Sequence, residues 1–147
     1  MKKIIIILVL SVFLFGCDKK VYHWEFKKNI SEVAQISIIY IESHIPEADK
    51  IINLPPEKII DKTLVYELLE EVQEMEMKKS FGMEMPFPIG YCFLIDYGNG
   101  KDYSILSNKG SGYIYLEDEE NRLVSEVSIL HFDNEDFKNL MNKYLAL

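Results

Sequence analysis

The segment IGYCFLIDYGNGKDYSILSN, residues 89–108, constrains the fold more than any other part of the sequence. Two apolar runs flank Asn99-Gly100, which is a strong signal for the tight turn of a β-hairpin because the central residues of that turn need a positive φ. A two-residue turn at this point also sets the register, in which Tyr97 pairs with Asp102 and Ile95 with Ser104. The segment therefore predicts two antiparallel strands.

Turn signals and alternating apolar residues extend this hairpin into a meander. NKGSG at residues 108–112 is a second turn, YIYLE at 113–117 a third strand and DEEN at 118–121 a third turn. We interpret RLVSEVSILHF, residues 122–132, as one fourth strand. Before the hairpin, VAQISIIYI at residues 33–41 is dense in β-branched residues and predicts a further strand.

Two connecting segments are less regular. Residues 43–57 carry three of the five prolines and predict a loop, which can include a brief strand at residues 51–54. Farther along, Met75, Met77, Lys79 and Phe81 alternate, which favours a strand. A continued helix is the alternative there, because Met, Glu and Lys all favour helices.

Two segments have the 3.6-residue period of amphipathic helices. The first follows Asp61 as its N-cap, and the second follows Asp133 or Asn134, either of which can cap it. The apolar stripe of the first helix consists of Leu64, Val65, Leu68, Leu69 and Val72. The stripe of the second consists of Phe137, Leu140, Met141, Tyr144 and Leu145. We therefore predict an α+β fold, in which an antiparallel sheet made of a meander of hairpins carries two amphipathic helices packed on one face.

The N-terminus predicts export. Lys2 and Lys3 precede an apolar run at residues 4–15, which is the layout of a secretory signal peptide and is too short for the about 20 residues of a membrane-spanning helix. The sequence Leu-Phe-Gly-Cys that ends at Cys17 resembles the lipobox of bacterial prolipoproteins. That resemblance implies lipid on the Cys17 sulfur and a mature chain that starts there. An ordinary signal peptide or a buried N-terminal helix, with an incidental cysteine, is the alternative.

The lipobox resemblance divides the chain into three parts. Residues 1–16 are the signal peptide, residues 17–30 a tether or short docked strand, and residues 31–147 a single α+β domain. Aromatic residues alternate within the second part, at Tyr22, Trp24 and Phe26. This alternation is typical of a strand or of an extended segment that docks on the domain. The lipobox resemblance implies a diacylated cysteine, and two acyl chains anchor a protein stably. We therefore expect the domain to be membrane-anchored at the outer face of the cytoplasmic membrane.

The charge balance argues against nucleic acid as a partner. The chain has 16 basic and 24 acidic residues, a formal net charge of −8, and removal of Lys2 and Lys3 with the signal peptide leaves 14 basic residues and a charge of −10. Nucleic acid phosphates and anionic headgroups repel such a surface. We therefore expect no nucleic-acid binding, and we expect the lipid on Cys17 to make the membrane contact.

Motifs for catalysis, cofactors or metals are not recognisable in the sequence. The histidines, which are His23, His44 and His131, follow no zinc-site spacing, and no serine lies in a G-x-S-x-G or S-x-x-K arrangement. We interpret the acidic run at residues 117–120 as a solvated turn, with a weak ion site as the alternative. Cys92 is predicted to be a small buried hydrophobe rather than a reactive or intermolecular thiol. We predict no enzymatic activity and no cofactor.

The segment FGMEMPFP, residues 81–88, is the candidate partner contact. Methionine and phenylalanine side chains form an adaptable apolar surface if they are exposed. The candidate contact residues are Phe81, Met83, Met85 and Phe87. The alternative is a loop that folds over an open end of the sheet and belongs to the core.

The order of the elements resembles a group of small, uncharacterised bacterial proteins and lipoproteins. The resemblance rests on the isoleucine-rich first strand, the helix, KKSFG, the pattern Y-x-F-x-I-x-Y-x-N-G and the closing FKNLMNKYL. It covers most of the mature chain and implies a fold but no activity. We predict a non-enzymatic module that binds a protein or peptide, of which an inhibitor or immunity-type protein is a special case. A small-ligand or cation-binding lipoprotein is the alternative.

Overall fold

The hairpin at Asn99-Gly100 lies at the centre of the fold. The computed structural model describes residues 21–42, 47–79, 89–117, 122–128 and 130–147. Strands β4, Gly90–Asp96, and β5, Asp102–Leu106, pair with Ile95 opposite Ser104, and the Tyr97 amide donates to the Asp102 carbonyl. The predicted register is therefore confirmed.

Glycine is required in this hairpin turn, where Gly98 and Gly100 both have a positive φ. Gly98 has a φ of 73°, a left-handed conformation that L side chains rarely adopt. An added Cβ there would lie 2.8 Å from the Cβ of Ala34, so the turn packs closely against the residue that leads into the first strand. Asn99 completes the turn, because its Oδ1 accepts from the amides of Lys101 and Asp102.

Among the described residues, β4 and β5 belong to an antiparallel sheet of six strands. The other four are β1, Gln35–Ile41; β2, Lys58–Ile59; β6, Gly112–Glu117; and β7, Arg122–Val127. The order in the sheet is β2-β1-β4-β5-β6-β7. A separate two-stranded sheet pairs β3, Met77–Lys79, with β8, Leu130–Phe132. The α+β class and the antiparallel sheet are as predicted, and residues 77–79 are strand rather than continued helix.

The prediction of one strand over residues 122–132 is wrong, because β7 and β8 belong to different sheets. Strand β6 begins at Gly112, so the pairing of β6 with β7 ends with Gly112 opposite Val127. Ser128 then turns the chain: its amide donates to the Ser111 carbonyl at 2.7 Å, and its Oγ accepts from the Leu130 amide at 3.0 Å.

The two predicted amphipathic helices are present and pack on the same face of the sheet. Helix α2, Lys62–Glu74, is capped by Asp61, whose carboxylate accepts from the Thr63 amide at 2.8 Å. Helix α3, Asn134–Ala146, is capped in the same way by Asp133. Their stripes join one core with the inner sheet residues; its members include Ile36, Ile38, Leu68, Leu69, Phe93, Ile95, Phe132, Phe137 and Tyr144.

A short helix covers the opposite face of the sheet. Residues 48–52 form helix α1, Ala48–Ile52, so the prediction of a loop with a brief strand at residues 51–54 is wrong. Ala48 and Ile51 are three residues apart and therefore lie on one side of the helix, where both are buried. They pack on the second core, which contains Ile39, Ile41, Cys92, Leu94, Ile105 and Ile114. Both faces of β1 are buried for this reason.

The N-terminal segment, residues 21–29, lies extended against the domain. The Met77 amide donates to the Tyr22 carbonyl at 2.8 Å, and Trp24 is buried in the core that α2 and α3 share. Asn29 then caps a 3₁₀ turn, Ile30–Glu32, in a capping box with Glu32. The signal peptide, Cys17, the candidate contacts at residues 81–88 and the turn at residues 118–121 all lie outside the described residues.

Candidate functional site

Tyrosines on one face of the sheet form the centre of the candidate site. Tyr113 and Tyr115 are two residues apart on β6, and strand pairing places Tyr113 opposite Ser104 and Tyr115 opposite Asp102. Tyr97, just after β4, lies on the same face, and its hydroxyl forms a 2.8 Å hydrogen bond with that of Ser104. This is also the face on which α2 and α3 pack.

The N-terminal segment covers part of this tyrosine face. The ring of Trp24 stacks on that of Tyr113, with centroids 5.0 Å apart, and the edge of Phe26 meets Trp24 at 6.5 Å. The Tyr113 hydroxyl donates to the carbonyl of Glu25. Stacking and hydrogen bonding together hold the segment on β6, and the chain then runs along the edge of an open depression.

We call this depression the tyrosine groove. It has a volume of about 370 Å³. Its lining residues are Lys27, Lys28, Tyr97, Asp102, Tyr103, Tyr113, Ile114, Tyr115, Leu116 and Glu126. The N-terminal segment contributes the two lysines, and the sheet contributes the rings and both carboxylates.

Two lysine–carboxylate pairs lie in the groove. The Lys27 ammonium pairs with Glu126 and lies 4.4 Å from the ring centroid of Tyr113 and 5.4 Å from that of Tyr115. Both distances are within the about 6 Å range of a cation–π contact. The Lys28 ammonium lies 3.3 Å from the Asp102 carboxylate. Since all four side chains are partly exposed, these pairs add little to folding stability and leave their charges accessible.

The hydroxyls of Tyr97 and Tyr113 are neutral at physiological pH. Burial raises the pKa of Tyr97 above its ordinary value, and burial also raises the pKa of Tyr113. Neutral phenols donate and accept hydrogen bonds and present flat apolar rings. The groove is therefore suited to contact rather than to phenolate chemistry.

The indole N–H of Trp24 is the one buried side-chain polar atom with no hydrogen-bond partner in the described part of the chain. Trp24 is only 4% exposed, so this donor is removed from solvent. An unpaired buried donor costs about 1–3 kcal/mol of folding stability. The ring therefore holds its place by packing alone.

A second cleft lies between the helices, and its contacts are explained by helix packing. It has a volume of about 420 Å³ and is lined by Glu71, Glu74, Met75, Asp136, Asn139, Leu140 and Lys143. The Lys143 ammonium of α3 bonds to Glu67 and Glu71 of α2 at 2.7 and 2.6 Å, and the Tyr144 hydroxyl donates to Glu71. Hydrogen bonds to the two carboxylates raise the pKa of Lys143, and burial raises that of Tyr144 to about 12.

The other residues singled out in the sequence lie in structural positions or outside the described ranges. Cys92 is fully buried in the second core, and burial raises the pKa of its thiol to about 12, as fits a buried hydrophobe. The ring of His23 lies 3.2 Å from the Met75 carbonyl, and His131 lies in β8. Within the described ranges, no three His, Cys, Asp or Glu side chains are grouped to hold a metal ion, and no helix has the length and apolar character to cross a membrane.

Comparison with known proteins gives no relative. No protein-family model, no curated protein and no solved structure matches the chain. The resemblances to prolipoproteins and to small bacterial lipoproteins therefore stay predictions, and the case for a function depends on the geometry of this chain.

The sequence held part of the signal for the groove. Tyr113 and Tyr115 alternate on a predicted strand, and the predicted hairpin register places Tyr97 opposite Asp102. The β5–β6 register of the structure, in which Tyr115 lies opposite Asp102, then puts all three tyrosines on one face. The two lysines could not be placed in the same way, because Lys27 precedes Glu126 by 99 residues and the contact depends on how the N-terminal segment docks.

Proposed function

We propose that this chain is a lipoprotein, anchored through Cys17 at the outer face of the cytoplasmic membrane, that binds a protein or peptide in the tyrosine groove without chemical turnover. The observation that carries the binding part is a groove lined by tyrosine rings beside the core that the helices cover. Tyr115 is 38% exposed although it lies on the face that the helices bury elsewhere. Tyrosine is enriched at protein interfaces, where a few aromatic anchors supply most of the binding energy.

The docked N-terminal segment relates this groove to the proposed anchor. Cys17 precedes Tyr22, which among the described residues is the first that pairs with the domain, by only five residues. Five extended residues span about 18 Å at most. A lipid on Cys17 would therefore hold the β3 end of the domain close to the bilayer, and the favoured partner is a protein or peptide at the membrane surface.

A small-ligand binder is the second candidate, and the size of the groove favours it. A volume of about 370 Å³ lies within the about 300–1,000 Å³ of typical ligand pockets. The lining offers neutral hydroxyls, two carboxylates and two ammonium groups. A metabolite with an apolar ring or a cationic group would find matching contacts there.

Capture from native membranes tests the binding proposal. Full-length chain would be purified from its own membranes in mild detergent as the wild type, as Tyr115→Ser and as the matched control Tyr66→Ser. Tyr66 is 63% exposed on α2 and does not line the groove. We expect a partner that is retained by the wild type and by Tyr66→Ser and lost with Tyr115→Ser. Equal capture by all three would contradict the groove as the binding surface.

A separate measurement tests the anchor and the ligand alternative. Labelling with a fatty acid, followed by fractionation, should give a labelled membrane-bound wild type and an unlabelled Cys17→Ser precursor. A labelled Cys17→Ser chain would contradict the anchor. A thermal-shift screen of metal ions and metabolites decides the alternative, since a shift of several degrees that disappears in Tyr115→Ser favours the small-ligand candidate.

A further inference from the structure

The environment of the Lys27 ammonium has the composition of a binding site for a cation. Two tyrosine rings, Tyr113 and Tyr115, face the ammonium at 4.4 and 5.4 Å, and the Glu126 carboxylate neutralises it. Aromatic faces attract cations, and proteins use cages of aromatic rings to recognise ligands that carry an ammonium group. We call Tyr113, Tyr115 and Glu126 the cation cage.

We infer that the cation cage binds a lysine side chain of the partner and that Lys27 occupies the cage while the partner is absent. This inference rests on the proposed function, because it identifies the partner chemistry of the same groove. The partner would be a basic protein or peptide, whose lysine ammonium takes the place of the Lys27 ammonium between the rings.

Lys27 can leave the cage without undocking the segment that carries it. The side chain of Lys27 is 46% exposed and that of its partner Glu126 is 59% exposed, so water can solvate both when they separate. The backbone on either side is held independently, by burial of Trp24 and by the capping box of Asn29 with Glu32. Exchange of one ammonium for another therefore needs only a rotation of the Lys27 side chain.

The charge of the chain also favours a basic partner. The formal net charge is −8, and opposite charge speeds the diffusional encounter and selects against acidic partners. A second carboxylate, that of Asp102, lies in the same groove and is paired with Lys28 in the same manner. Exchange of one lysine for another conserves the charge within the groove, whereas an acidic partner would have to compete with Glu126 and Asp102.

Peptide titration of the full-length chain in detergent micelles tests the inference. The probe is acetyl-Gly-Lys-Gly-amide, with the norleucine and glutamate analogues as the neutral and acidic comparisons. The readout is the NMR signal of the Trp24 indole N–H, which is unambiguous because the chain has one tryptophan and its ring stacks on Tyr113. We expect saturable shifts with the lysine peptide at millimolar concentration and none with the other two.

The variants separate a cage from a nonspecific acidic surface. Lys27→Met removes the internal competitor and should tighten binding of the lysine peptide at least about threefold, with Lys27→Gln as a second variant of the same kind. Tyr115→Leu and Glu126→Gln should each weaken binding at least about threefold. Lys143→Met is the matched control, because Lys143 also lies over a tyrosine ring, that of Tyr144 at 5.1 Å, but outside the groove, and it should leave binding unchanged.

The outcomes distinguish this inference from the proposed function. Unchanged binding in both Lys27 variants, or equal shifts with the norleucine or glutamate peptide, would overturn the cage. If membrane capture is nevertheless lost with Tyr115→Ser, the groove still binds a partner, but by other chemistry. If capture survives Tyr115→Ser, the proposed function fails whatever the peptides do.

Discussion

Replacement of Trp24 by alanine and by phenylalanine should have clearly different effects on stability. Truncation of a buried tryptophan to alanine costs about 3–5 kcal/mol in lost burial and packing. At this position the unpaired indole N–H returns about 1–3 kcal/mol when it is removed, because its desolvation is no longer uncompensated. The midpoints of the two ranges are about 4 and about 2 kcal/mol, so we expect Trp24→Ala to lower the free energy of unfolding by about 2 kcal/mol.

Trp24→Phe removes the same N–H but keeps an aromatic ring over Tyr113. The smaller ring loses about 1–2 kcal/mol of burial, which the removed donor offsets, so the net change should lie within about 1 kcal/mol of zero. Urea unfolding followed by far-ultraviolet circular dichroism measures both variants without depending on tryptophan fluorescence. Hydrogen exchange at the Met77 amide, which donates to the Tyr22 carbonyl, shows whether the segment stays docked.

Two results would refute this reasoning about Trp24. A loss of more than about 2 kcal/mol in Trp24→Phe would mean that the indole N–H is paired and contributes to stability. An unchanged free energy of unfolding in Trp24→Ala, with the Met77 amide still protected, would mean that the ring does not hold the N-terminal segment on the domain.

Three further predictions concern buried titratable groups. Cys92→Ala should lower the free energy of unfolding by about 1–2 kcal/mol at neutral pH, as expected for a small buried side chain. A covalent dimer of the wild type on non-reducing gels that is absent in Cys92→Ala would contradict that role. Burial raises the Cys92 pKa from 9.0 to about 12, so above pH 9 the folded chain keeps a proton that the unfolded chain loses. The free energy of unfolding is therefore unaffected by this thiol below about pH 9 and should fall by about 3 kcal/mol by pH 11, a decrease that urea melts of Cys92→Ala over the same pH range should lack. Glu71→Gln should lower the pKa of Tyr144 towards its ordinary value, though burial keeps it raised, and a ¹³C titration of the Tyr144 ring that shows no change would contradict the hydrogen bond.

Local signals predicted the regular elements well. Asn99-Gly100 predicted the register of the central hairpin because turn geometry acts over a few residues. Asp61 predicted where α2 begins, and the candidate caps Asp133 and Asn134 predicted the start of α3 to within one residue, because a side-chain cap is also a local interaction. The helical stripes predicted which side of each helix is buried.

The wrong predictions are those in which tertiary contacts decide the structure. Helix α1 has five residues and no side-chain cap at Glu47, so its own sequence barely favours a helix, and burial of Ala48 and Ile51 against the sheet stabilises it. The division of residues 122–132 depends on where β6 begins, which the apolar run itself does not record. The tyrosine groove needs residues from distant parts of the chain, and no spacing rule brings Lys27 to Glu126.

Photo-crosslinking in intact cells tests most directly whether the tyrosine groove binds a partner at the membrane. A photoreactive phenylalanine derivative would replace Tyr115 in one strain and the exposed Tyr66 of α2 in another. We predict a light-dependent adduct with a single protein from position 115, abolished by Cys17→Ser, and no such adduct from position 66. Adducts from position 66 alone, or from neither position, would contradict a partner bound in the groove.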